Sequence, residues 1–106
     1  GCFAAMGEDV VKCIERFGDR IHFVHFRDVA GNKYKFHETF HDNGPTDMAE
    51  VIRAYHRIGY HGYGRVDHVP AMAGEVGERP GYANVGRLYA IGYLRGLLEM
   101  DGSLEE

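Results

Sequence analysis

Two short β-rich runs alternate with three helix-patterned segments, which predicts an α/β fold in the order helix, strand, helix, strand, helix. Strands separated by a helix pair in parallel, because the crossover returns the chain to the same end of the sheet. Composition agrees: 106 residues that are 44% hydrophobic and 26% charged are ordinary globular content, which excludes a disordered or collagen-like chain.

Each element follows from local pattern. Residues 5–17 set Met6, Val10, Cys13, Ile14 and Phe17 at helical spacing, with Gly18 as the stop, and Cys13 on the apolar stripe is expected in the core. Residues 20–26 are too short for a helix and rich in β-formers, and read as a buried strand. Residues 27–45, punctuated by Gly31-Asn32 and Asn43-Gly44-Pro45, read as one long loop, a length that inside a compact domain usually marks a functional or a disordered segment. Asp47 with Glu50 three residues on is a capping-box pattern. It opens a helix whose stripe is Met48, Val51, Ile52, Tyr55 and Ile58 and which Gly59 ends. Residues 62–67 read as a second strand, 68–80 as a glycine- and proline-bearing loop, and 81–100 as a third helix. That helix is apolar around much of its circumference, and Gly92 and Gly96 permit close approach of a neighbour. Two parallel strands do not make a sheet covered on both faces. The chain is therefore expected either to self-associate or to be completed by the remainder of a longer polypeptide.

Charge and cysteine usage narrow the partners. Twelve Lys and Arg against sixteen Asp and Glu give a net charge of −4, and no basic run supplies the footprint of a nucleic-acid binder. No apolar stretch approaches the roughly 20 residues that span a bilayer, and the first residues lack a signal-peptide pattern. Cys2 and Cys13 are too few to staple a fold and sit ten residues apart in between, which suits no zinc pattern. A cytoplasmic domain without nucleic-acid or membrane partners is the expectation.

Chemistry concentrates at two strand ends. A period of two puts Ile21, Phe23, His25 and Arg27 on one face of the first strand, and Tyr63, Arg65 and Asp67 on one face of the second. Each strand thus ends in a polar pair, where parallel α/β folds bind ligands. The structural alternative makes His25 a hydrogen-bonded core histidine and Asp67 a turn residue. The run His37-Glu38-Thr39-Phe40-His41 satisfies the H-E-x-x-H pattern, which on a helix lets both histidines reach a zinc ion. Its confinement between Gly31-Asn32 and Asn43-Gly44-Pro45 leaves too little helix for that role. The glycine-rich stretches at 59–64 and 74–77 lack phosphate-loop spacing.

The runs Phe23-Val24-His25-Phe26-Arg27-Asp28, Phe36-His37-Glu38 through His41, Thr46-Asp47-Met48, Arg65-Val66-Asp67-His68, Pro80-Gly81-Tyr82 and Gly86-Arg87-Leu88 resemble, in order, the C-terminal part of mannonate dehydratase. The resemblance implies a (β/α)8 TIM barrel of the xylose-isomerase-like kind. Residues 1–106 would be a single segment of it, holding the last two βα units and the preceding helix. It implies a hydro-lyase that converts D-mannonate to 2-keto-3-deoxy-D-gluconate in hexuronate catabolism, with a divalent metal, Mn²⁺ or Fe²⁺. Carried over by position, His25 and Asp67 resemble metal ligands, and an N plus an O donor suits those ions. His68 and Tyr82 match the acid/base pair, one taking the proton beside the carboxylate and the other protonating the departing C3 hydroxyl. Arg27, His41 and Arg65 are the candidates for contacting the substrate's carboxylate or hydroxyls. The family's other ligands, a cysteine and a histidine, fall upstream, so Cys2 is not one of them. The isolated chain is expected to be inactive. The alternatives are a metal-dependent isomerase or epimerase of the same superfamily, sharing His25 and Asp67 but not the His68/Tyr82 pair, or a non-catalytic associating subunit.

Overall fold

A computed structural model describes residues 2–75 and 84–102. The helix expected over 5–17 is two: α1 (Cys2–Ala5) and α2 (Val10–Phe17). Between them Gly7 turns the chain at φ +77°, and the Asp9 side chain accepts the Lys12 N–H at 3.2 Å to start α2. Met6 therefore lies in an exposed turn and off the stripe. Residues 18–20 form a 3-10 turn, so the first strand, β1 (Phe23–Phe26), starts later than expected.

The largest departure is the expected loop over 27–45, most of which is a β-hairpin. Strands β2 (Asp28–Asn32) and β3 (Lys35–Thr39) pair antiparallel, from Asp28↔Thr39 to Asn32↔Lys35. The Asn32 side chain makes the turn by accepting the N–H groups of Tyr34 at 2.9 Å and Lys35 at 3.1 Å. The H-E-x-x-H run thus lies on a strand and the turn after it, not on a helix.

Helix α3 (Met48–Arg57) forms where its cap predicts, with Asp47 accepting the Glu50 N–H at 3.2 Å. Strand β4 (Tyr63–Val66) and helix α4 (Asn84–Asp101) follow, while the expected start of the last helix, from Gly81, lies outside the described residues. Strands β1 and β4 pair in parallel, as the alternation of helices and strands requires.

The register sorts the side chains into two faces. Val24↔Gly64 and Phe26↔Val66 lie on the helix side, and Phe23↔Tyr63 and His25↔Arg65 on the other. On the helix side Val66 packs with Ile52, Val69, Ala90 and Leu94, and Ile14 packs with Met48, Val51 and Ala54. Phe26 and Leu97 touch both groups and join them into one core. The other face is open, with Phe23, His25, Tyr63 and Arg65 all exposed. The strand over 20–26 is therefore covered on one face only, a correction to the expectation of full burial. Cys13 is partly buried and Cys2 exposed. No helix among the described residues is long and apolar enough to cross a membrane.

Candidate functional site

The open face of the β1–β4 pair gathers most of the residues expected to carry chemistry. His25 stands in register with Arg65, and one residue beyond β4 the Asp67 N–H donates to the Phe26 carbonyl at 2.8 Å. That bond extends the ladder by one step and sets the Asp67 carboxylate beside the His25 ring. His25 Nδ1 and Asp67 Oδ2 are 3.8 Å apart, and Asp67 Oδ1 lies 3.6 Å from His68 Nε2. One carboxylate therefore sits between two imidazoles.

The first gap is informative. At 3.8 Å it is too long for a hydrogen bond, yet two donors each about 2.1 Å from a shared ion stand roughly 3–4 Å apart. The donor types and their spacing fit a divalent cation. Among the described residues no group of three or more His, Cys, Asp or Glu side chains converges on one point, so His25 and Asp67 form an incomplete set.

The two arginines differ. Arg65 is exposed, with its Nε at 3.5 Å from the Val66 carbonyl. Arg27 is gripped by Glu38 across the hairpin, Nε to Oε1 at 2.7 Å and Nη2 to Oε2 at 2.5 Å, and lies over the Phe36 ring. Hydrogen bonds to Glu38 raise the Arg27 pKa further, with a smaller contribution from the nearby Asp67 charge. Of its five N–H groups two are committed to Glu38, and the bidentate grip fixes the plane of the guanidinium.

His41 is not brought to the open face. It is 1% exposed, and its Nε2 donates to the same Phe26 carbonyl at 2.7 Å. Burial pushes its pKa down. Tyr82 lies outside the described residues, but the segments flanking it are tied together: Glu75 accepts the N–H of Met72 at 2.8 Å and of Val85 at 2.7 Å. These N–H donors, Met72 first, hold the Glu75 pKa below the ordinary value, and a carboxylate suits the first turn of α4.

Three residues shape the site in roles that the sequence did not assign them. Glu38 orients Arg27, and Asp28, fully buried, accepts the Thr46 N–H at 2.7 Å and the Thr46 hydroxyl at 2.8 Å. Tyr89 of α4 donates to Asp42 and packs edge-on against Phe40. Only the hairpin register could have revealed Glu38, since it places Asp28 opposite Thr39 and so brings Arg27 toward Glu38. An open cleft of about 570 Å³ by the start of β4, between Phe26, Tyr55, His56, Tyr60 and Leu98, includes none of the candidate residues.

Known proteins resemble this chain along nearly its whole length. The family model described as D-mannonate dehydratase (UxuA) matches residues 1–104. A mannonate dehydratase of Thermotoga neapolitana is 37% identical over 99% of this chain, and one of Thermotoga petrophila is 39% identical over 92%. The crystal structure of mannonate dehydratase from Streptococcus suis serotype 2 superimposes with a TM-score of 0.82 at 29% identity, covering 93% of this chain. The chain spans 31%, 29% and 30% of the lengths of these three relatives, respectively.

Proposed function

The chain belongs to the D-mannonate dehydratase family, and from that membership we propose that the whole protein is a hydro-lyase converting D-mannonate to 2-keto-3-deoxy-D-gluconate. We read residues 1–106 as the last two βα units of a (β/α)8 barrel with the preceding helix. The observation that carries the reading is His25 beside Asp67 at the carboxyl ends of adjacent parallel strands, where such barrels keep their active sites. His25 and Asp67 would hold a divalent cation, Mn²⁺ or Fe²⁺, which when bound stabilises the negative charge that builds on the substrate carboxylate as the neighbouring proton leaves.

This chain's own residues divide the remaining work. His68 and Tyr82 form the acid/base pair: one removes the proton from C2, and the other protonates the C3 hydroxyl as its C–O bond breaks. Water leaves, and the resulting enol tautomerises to the 2-keto product. Contact between Asp67 Oδ1 and His68 Nε2 supports this role, because a carboxylate there orients the ring. Arg65, exposed on the same face, is placed to bind a carboxylate or hydroxyl of the substrate. Arg27 serves the same end through the N–H groups that Glu38 leaves free. We assign His41 no substrate contact, because it is enclosed.

The test is turnover of the full-length protein with Mn²⁺ and D-mannonate, following the 2-keto-3-deoxy product. His68→Ala and Tyr82→Phe are each expected to lower kcat by about 10²–10⁴-fold, the usual contribution of a positioned acid or base. Unchanged turnover in either variant removes that residue from the pair. An isomerised product formed without loss of water would select the isomerase alternative.

A further inference from the structure

We infer that His41 is a positioning residue for the His25/Asp67 pair, acting through the Phe26 carbonyl. The inference rests on the proposed metal role of that pair. The Phe26 carbonyl, at the carboxyl end of β1, accepts two hydrogen bonds: the Asp67 N–H at 2.8 Å and His41 Nε2 at 2.7 Å. The first is the ladder contact that sets Asp67 opposite the end of β1. The second takes up the carbonyl's other lone pair and holds that oxygen from the hairpin side. His25 precedes Phe26 by one residue, so a shift of this peptide unit moves both donors of the pair.

The chemistry of the contact defines the ring. A carbonyl only accepts, so Nε2 carries the proton. Burial keeps the imidazole neutral, which leaves Nδ1 bare. His41 Nδ1 is buried with no hydrogen-bond partner. An enclosed histidine that uses one nitrogen on a backbone carbonyl and none on the open face does not bind substrate; it holds backbone.

His41 is itself held on both sides. The Phe40 ring packs edge-on against Tyr89, with centroids 5.6 Å apart, and Asp42 accepts the hydroxyl of the same tyrosine. Helix α4 thus clamps the residues before and after His41, and His41 transmits that rigidity to the end of β1. Partners behind metal ligands commonly contribute 10–100-fold to metal affinity.

Mn²⁺ alone is the probe, titrated into the full-length protein and followed by the electron paramagnetic resonance signal of the free ion. His41→Leu is expected to weaken Mn²⁺ binding by roughly tenfold or more. His41→Gln, which keeps an N–H donor, is expected to recover most of that loss. Asp47→Ala, which weakens the cap of α3 but removes neither hydrogen bond to the Phe26 carbonyl, is expected to lower the unfolding midpoint and leave Mn²⁺ affinity unchanged. Unaltered affinity in His41→Leu, with binding abolished in Asp67→Ala, would overturn the positioning role and leave the metal site standing. Equal losses in His41→Leu and Asp47→Ala would reduce His41 to a general stabiliser and also overturn it. Undiminished binding in Asp67→Ala would remove the metal assignment, and this inference with it. Nitrogen NMR of histidine-labelled wild-type protein gives a check that needs no variant: His41 is expected to show a protonated Nε2 and a bare Nδ1, and the opposite tautomer overturns the inference.

Discussion

His41 is one of seven histidines, and its fully enclosed ring gives it a titration consequence of its own. Burial lowers its pKa below the ordinary value of about 6.5, so the folded protein keeps it neutral where the unfolded chain already binds a proton. The sign follows directly. Above that value neither state holds the proton, and His41 contributes no pH dependence. As pH falls through it the unfolded state gains the proton first, and stability drops until the folded ring is protonated too. Urea midpoints of the full-length protein measured from pH 7.5 downward are expected to fall more steeply than those of His41→Gln. Parallel curves for the two proteins would contradict a depressed His41 pKa. Arg27 makes the complementary point: the residue was legible as a candidate from its place after β1, but the Glu38 carboxylate that fixes its plane was not.

The hairpin is the element that the sequence concealed. Its strands are short and polar, with most of β3 exposed, so neither a hydrophobic period nor a buried run marks them. Its return toward α3 is fixed by the buried Asp28 carboxylate, bonded to Thr46, with Gly44 pressed against it. A Cβ on Gly44 would fall 2.2 Å from Asp28 Oδ2 and 2.3 Å from Thr39 Oγ1. Gly44→Ala is therefore expected to cost about 1–3 kcal/mol, the usual penalty of overpacking, read as a lower urea midpoint at unchanged slope. No loss would mean that the loop over residues 43–46 yields easily, and that Asp28 does not anchor it. Helix α3 shows the opposite case, because a capping side chain and an apolar stripe are local signals that tertiary structure had no reason to override.

Across the whole chain, one face of the β1–β4 pair is covered by helices and the other is open. Leu88 is 70% exposed on α4, with Val85 and Ile91 also uncovered, and a Cβ on Gly92 or Gly96 would meet nothing within 4 Å. Apolar surface of this kind normally packs against something. Among the described residues, no neighbour of the kind that Gly92 and Gly96 were expected to admit stands beside them. With only the proposed donors His25 and Asp67 and about 30% of its relatives' length, the 106-residue chain assayed by itself with Mn²⁺ and D-mannonate is expected to form no 2-keto-3-deoxy product. Turnover by this chain alone would mean that copies of it assemble a complete site between them.

Sequence by itself determined the α/β alternation, the parallel pairing, helix α3 to within a residue, and the two strand ends that carry His25, Arg65 and Asp67. These follow from local periodicity, capping and the two-residue repeat of a strand, all of which act between near neighbours. Only the tertiary structure decided that Phe26 offers one carbonyl to both Asp67 and His41, that Arg27 answers to Glu38, and that His41 lies inside. Those contacts join residues 11 to 41 positions apart, the Asp67 contact through the β1–β4 ladder and the other two through the hairpin register. That register is set by a side-chain turn at Asn32 and a buried carboxylate at Asp28, neither of which leaves a periodic trace along the chain.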